Sequence, residues 1–195
     1  MSNRESTRQR FADFPSQQVP ARHIELWLPP DYHQSSSAYP VLYMHDGQNL
    51  FDAATAYGGV TWGVDEVLRE LISTQKVPPV IAVGIWNTAR RFSEYLPQRP
   101  FKDGPLPDEV EGVYSDSYLS FIVEELKPFI DAQFRTLSAR EHTHIMGSSM
   151  GGLVSLYAIC EYPDLFGSAG CLSTHWPIMA GKFDAYLRDS LPDPA

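Results

Sequence analysis

His144-Ile145-Met146-Gly147-Ser148-Ser149-Met150-Gly151-Gly152 is the stretch on which the reading of this chain turns. It runs as strand, sharp turn, helix. Gly147-Ser148-Ser149-Met150-Gly151 fits the G-x-S-x-G nucleophile elbow with Ser149 at its centre. Ser148 does not fit that frame, because Met146 and Met150 would fall on the two glycine positions. Small residues are needed there: a Cβ two before or two after the serine would collide with the neighbouring strand or helix while the serine is held in a strained conformation.

Outward from the elbow, strands and helices alternate. Met150 to Glu161 reads as a helix with Leu153, Leu156, Tyr157 and Cys160 on one face, and Tyr162-Pro163-Asp164 stops it. Phe166 to Leu172 is an apolar strand, and Trp176 to Leu187 reads as one more helix. Upstream, Ser115 to Asp131 is a helix with Ser115 as its cap and Tyr118, Phe121, Ile122, Leu126 and Ile130 as its apolar face. Val80–Trp86 and Tyr39–His45 are unbroken apolar runs, too short for helices, and read as strands buried on both faces. Thr61 caps a helix reaching Ser73. His23 to Leu28 alternates with period two, the signature of a half-buried strand. Asn87 to Asp108 is too long for a passive connector and reads as a functional loop or partial lid. Residues 1–20 read as a polar, loosely structured lead-in anchored by Phe11, Phe14 and Val19, and residues 21–195 as one domain.

The order β–β–α–β–α–β–α–β–α predicts an α/β fold, a three-layer α/β/α sandwich around a mostly parallel sheet. Right-handed crossovers gather the C-terminal ends of the parallel strands on one rim, where ligands bind. His45-Asp46-Gly47-Gln48, Trp86-Asn87, Ser149 and Ser173-Thr174-His175 all fall there.

Composition narrows the function. The 195 residues are 43% hydrophobic and 12% aromatic, a globular composition. A net charge of −9 repels phosphate backbones and anionic lipid, so neither nucleic acid nor membrane is an expected partner. Met1 to Arg10 is polar, no apolar run approaches ~18 residues, and a cytoplasmic location is expected. Cys160 and Cys171 lack metal-ligand spacing and read as buried small hydrophobes. His142 and His144 share a strand face without a third ligand, so packing is the favoured reading over metal. No metal and no cofactor is expected.

A serine hydroxyl needs a base to become a nucleophile. The elbow lifts its Oγ to a helix N-terminus, where the dipole and the Met150 N–H stabilise a developing oxyanion. The second donor is expected from the loop after the early buried strand, at Gly47 or Gln48. Trp86 and Trp176 lie near the rim and, with Asn49, are candidates to bound a substrate pocket. Arg90 and Arg91 read either as a solvated loop face or as contacts to an anionic substrate, and His45 as a structural hydrogen-bonding group.

Three separated motifs carry a family resemblance: Tyr39 to Asp52 (YPVLYMHDGQNLFD), Arg91-x-x-Glu94-Tyr95, and Ile145 to Gly152 (IMGSSMGG). Together they resemble the esterase family of α/β-hydrolases, whose members include esterase D, ferric enterobactin esterases and feruloyl or acetyl xylan esterases. The resemblance implies an α/β-hydrolase fold and hydrolysis of a small-molecule carboxylic ester through an acyl-serine intermediate. Ser149 would be the nucleophile, and the amides of Met150 and the Gly47–Gln48 loop the oxyanion hole. In such hydrolases the triad follows the order Ser, acid, His. After Ser149 the chain offers Glu161, Asp164, Asp184, Asp189, Asp193 and one histidine, His175, which reads as base, as pocket lining or as a plain loop residue. The family's acid and His are expected after two further strands. The expectation is therefore a hydrolase fold lacking its last strands, with an exposed sheet edge at Phe166–Leu172 that invites homodimerisation. The competing expectation is a non-catalytic hydrolase-fold binding module.

Overall fold

A computed structural model describes residues 6–101, 105–106, 110–179 and 181–192. The strands are β1 (Thr7–Phe14), β2 (Arg22–Leu28), β3 (Val41–His45), β4 (Ile81–Ile85), β5 (Thr143–Ser148) and β6 (Ser168–Leu172). Among the described residues they form one sheet in the order β1-β2-β4-β3-β5-β6. The four strands from β4 to β6 run parallel, and β2 and β1 add antiparallel at one edge. This is the α/β architecture the alternation predicts, with the parallel strands ending on one rim.

The apolar runs at β3 and β4 are buried on both faces, as their patterns require. One core lies between the sheet and the later helices and contains Ile24, Tyr43, Val83, Tyr118, Phe121, Ile145 and Leu153. A smaller one on the opposite face gathers Trp27, Met44, Leu50, Phe51, Val64 and Ala82 under α1 (Val64–Ser73).

Several local expectations change. Within the lead-in, Thr7–Phe14 is not loose but an edge strand, mostly exposed, whose Phe11 and Phe14 rings pack on Phe129 at 5.2 and 5.0 Å. Its polar sequence hid the strand because an exposed edge needs few apolar residues. β2 is buried along nearly its whole length rather than half-buried. Trp27 sits in the second core, and the buried Glu25 carboxylate accepts from Arg10 at 3.2 Å. α1 begins at Val64 behind a left-handed Gly63, and Thr61 Oγ1 accepts the Gly63 N–H instead of capping the helix. Trp176–Met179 is a 3₁₀ turn, and α6 (Lys182–Ser190) starts only after Gly181 at φ 78°.

The long helix is present but not uniform. α3 (Ser115–Ser120) passes through a π turn at Phe121–Leu126 into α4 (Lys127–Gln133), and Ser115 opens the helix rather than capping it. Pro128 explains the π turn. It has no N–H, and its ring crowds the carbonyl four residues back, so the register slips and the Lys127 N–H reaches Ile122 O.

The stretch read as a loop or lid carries α2 (Arg91–Tyr95), in which Ser93, Glu94 and Tyr95 are buried. A buried ion pair holds it: Arg22 Nη2 and Nη1 donate to the two Glu94 carboxylate oxygens at 2.7 and 3.0 Å. Arg22 also lies over the rings of Tyr118 and Phe121. Burial is the largest single influence on Arg22 and would lower its pKa, but the Glu94 hydrogen bonds together with the electrostatic interactions with Tyr118, Glu94 and Tyr95 hold the guanidinium above its usual value. Glu94→Gln, which strands that charge, should lower stability by about 3–5 kcal/mol in urea unfolding. Arg22→Met with Glu94→Leu should recover most of the loss, because no unpaired charge remains.

Candidate active site

The elbow forms where β5 turns into α5 (Met150–Glu161). Ser149 occupies φ 58°, ψ −118°, a region that a non-glycine residue enters only when its surroundings enforce it. The enforcement is visible. Ser149 N–H donates to Leu172 O at 2.9 Å, and Ser149 O accepts from the N–H groups of Gly152 and His175 at 3.1 and 3.2 Å. A Cβ on Gly147 would stand 2.7 Å from the Gly151 carbonyl carbon, so the turn closes only with glycine there. Met150 heads α5, and its N–H is one of those the helix leaves without an internal acceptor.

The facing loop is equally tight. Asp46, in a left-handed conformation at φ 58°, opens a 3₁₀ turn at Gly47–Asn49. Gly47 presses against β4, where a Cβ would meet the Gly84 carbonyl carbon at 2.6 Å. The side chains of Gln48 and Asn49 shape the loop. Gln48 Oε1 accepts the Asn87 N–H at 3.2 Å, Gln48 O accepts from Thr55 Oγ1 at 2.8 Å, and Asn49 Oδ1 accepts the Tyr57 N–H at 2.8 Å.

Asp46 is the hub that the sequence did not reveal. Its carboxylate takes two hydrogen bonds from Arg91, Nε and Nη2, each at 2.7 Å, and a third from Asn87 Nδ2 at 2.6 Å. Arg91 Nη2 also reaches Ser148 O at 3.5 Å, at the end of the elbow strand. Burial pulls the Arg91 pKa down, but Asp46 more than compensates and keeps it raised. Arg91 is thus neither a solvated loop charge nor a free anion receptor; it braces the loop against the elbow. Arg90 instead lies over the Tyr114 ring.

His45 is fully buried beneath the turn, its Nδ1 2.8 Å from Tyr118 Oη, as a structural role requires. Its Cβ also marks the closest approach to a Cβ built on Gly151, at 3.4 Å. Burial, with smaller contributions from Arg91 and Arg22 against Asp46, pushes its pKa down to about 3.

Ser149 opens into a cleft of about 610 Å³ whose walls include Phe92, Phe101, Leu106, Ile178, His175 and Lys182. His175 therefore shares the cleft wall with Ser149, though among the described residues no hydrogen bond joins its ring to the Ser149 hydroxyl. The two tryptophans do not line this cleft. Trp86 packs against His23 and under Arg10, and Trp176 is exposed against Phe183. Glu161 is engaged by Arg99 and Tyr186, Asp164 sits in the turn after α5, and Asp184 and Asp189 are exposed on α6. Asp193 lies outside the described residues. His144 bonds Ser168 Oγ at 2.9 Å, in keeping with packing, and no metal-ligating cluster occurs among the described residues. Cys160 is buried and Cys171 only half-buried; both are free. Among the described residues no helix is long and apolar enough to cross a membrane.

A mostly parallel sheet flanked by helices, with a strained serine at the strand–helix turn, defines the α/β-hydrolase class of fold. The family model "Putative esterase" matches residues 20–188, and the chain belongs to the esterase family. It is 30% identical over 158 residues to protein YbbA of Bacillus subtilis (strain 168), covering 80% of this chain and 58% of that protein. It is 28% identical over 147 residues to a siderophore enterobactin esterase of Emericella nidulans, covering 68% of this chain and 45% of the relative. The crystal structure of an IroE-like serine hydrolase from Shewanella oneidensis superposes with a TM-score of 0.74 at 28% identity, over 95% of this chain and 56% of that one. The chain spans about half the length of these relatives.

Burial of His45 makes stability depend on pH. Near pH 7 it is neutral in both states; below about 6.5 the unfolded chain takes up a proton that the folded chain refuses until about pH 3. Stability should therefore fall on acidification, by up to about 1.4 kcal/mol per pH unit for this proton. Denaturation midpoints measured from pH 7 to 4 should flatten in His45→Gln, which keeps a hydrogen-bonding partner for Tyr118. An unchanged slope in that variant would remove His45 from the account.

Proposed function

We propose that this chain is a serine-dependent carboxylic ester hydrolase that works through an acyl-serine intermediate on a small-molecule ester. The observation that carries the proposal is the strained Ser149, set at the head of α5 and opposite a loop braced by Asp46 and Arg91. In this reading Ser149 Oγ attacks the ester carbonyl carbon and loses its proton to a base. The carbonyl oxygen becomes an oxyanion between the Met150 N–H and the amides of Gly47 and Gln48. Collapse of the tetrahedral species expels the alcohol, which takes the proton, and leaves the acyl-serine. Water then attacks by the same steps in reverse and frees the acid and Ser149. His175 is the base candidate that the cleft offers.

The names of the relatives support the ester chemistry. Among the described residues the His175 ring makes no hydrogen bond to the Ser149 hydroxyl, which supports the second reading, a hydrolase fold that binds without turnover. Hydrolysis of p-nitrophenyl acetate and butyrate, with Ser149→Ala as control, separates the two. The hydrolase reading expects activity to vanish in the variant, and equal rates would sink it. Fluorophosphonate labelling of Ser149 reports whether the hydroxyl is activated. His175→Ala should lower turnover at least about 100-fold if His175 is the base.

Arg91→Met tests the brace. It leaves Asp46 buried without its cation, so unfolding should come about 3–5 kcal/mol sooner. In the protein that remains folded, loss of the loop amides should slow serine labelling by about 100-fold or more. Labelling at the parent rate would show that the loop does not depend on Arg91.

A further inference from the structure

The wall of the Ser149 cleft contains one feature that the ester chemistry does not use. Lys182 lines the cleft, and its Nζ is shielded from solvent and has no hydrogen-bonding partner among the described residues. The nitrogen lies 4.6 Å from the centroid of the Phe101 ring. Lys182 is also the first residue of α6, where the helix dipole opposes a cation. A buried ammonium without an acceptor is unfavourable, and a ring face offsets only part of that. Apart from Ser149 and His175, the rest of the wall is apolar and includes Phe92, Phe101, Leu106 and Ile178. A chain with a net charge of −9 thus places a cation against an apolar wall where, among the described residues, no carboxylate pairs with it.

The missing element is a compact anion carried on an apolar body. We propose that Lys182 is the specificity-determining residue of this cleft and that the preferred esters carry a free carboxylate on the group held between Phe101 and the start of α6. A carboxylate rather than a phenol is favoured because carboxylates are fully ionised at neutral pH, whereas phenols with ordinary pKa values near 10 are not. The charge-assisted hydrogen bonds to Nζ would then form where water is already excluded, and that is where they are strongest. The inference rests on the esterase reading for the word "ester", but the carboxylate site itself does not need catalysis.

The test uses the full chain carrying Ser149→Ala, so that binding is read without turnover. Affinities for 4-phenylbutanoate and its uncharged amide are measured by calorimetry, with thermal unfolding recorded for each variant. The carboxylate should bind at least tenfold tighter than the amide. Lys182→Met should close that gap and Lys182→Arg should keep it. Lys182→Glu should reverse the preference toward 4-phenylbutylamine, an effect that mere structural support by Lys182 would not produce. Equal affinity for acid and amide in the Lys182 protein, no binding of either, or a gap that survives Lys182→Met would each overturn the proposal. A failed p-nitrophenyl ester assay with this gap intact would overturn the hydrolase reading and leave the carboxylate site standing.

Discussion

The two-pronged ion pair between Asp46 and Arg91 is the contact on which the site depends. Asp46 stands in a left-handed conformation at the end of β3, and the turn that follows must press its backbone against β4. Nothing in a short 3₁₀ turn holds such a geometry by itself. Three hydrogen bonds to one carboxylate do, and Arg91 adds a reach to Ser148 O on the elbow strand. One guanidinium therefore sets the distance between two backbone segments that must cooperate. A lysine would not do the same, because it lacks the rigid planar fork.

α2 is where the two halves of the molecule meet. Arg91 and Glu94 are three residues apart and so lie on neighbouring positions of one short helix. Arg91 is tied to Asp46 on β3's rim, and Glu94 to Arg22 at the start of β2. Phe92, one of the two residues between them in sequence, lines the cleft. Five residues that a composition scan assigns to a loop thus connect the sheet's antiparallel edge, its parallel centre and the ligand space. Tyr95 and Tyr118 fill the gap around His45, with ring centroids 5.2 Å apart, and seal the hub from water.

The far wall of the cleft is held by a second polar anchor. Glu161, at the end of α5, accepts from Tyr186 Oη at 2.5 Å and pairs with Arg99 at 2.7 Å. That joins the Arg99–Phe101 turn and α6 to α5, the helix that follows Ser149. Phe101 and Lys182 therefore face each other through elements fixed to the same carboxylate. The position of Lys182 follows from this packing, not from any local preference of its sequence, which would place a cation elsewhere on the helix.

Much of the fold was legible because its signals are local. Gly147 and Gly151 announce a backbone approach that no Cβ survives, and unbroken apolar runs at β3 and β4 announce strands covered on both faces. β1 was illegible for the opposite reason, since an exposed edge strand needs no apolar alternation. The burial of Arg22, Arg91 and Glu94 was illegible too, because a charge shows its partner only when distant segments fold together. The sequence by itself determined the serine, its elbow, the loop that faces it and the α/β alternation. Only the tertiary structure decided that Arg91 is a brace, that Trp86 and Trp176 stand outside the cleft, and that Lys182 enters it. The charged contacts among them, Arg91 with Asp46 and Arg22 with Glu94, are set by pairings across 40 or more residues, where the cost of burying a charge is met by a group that no short window of sequence contains.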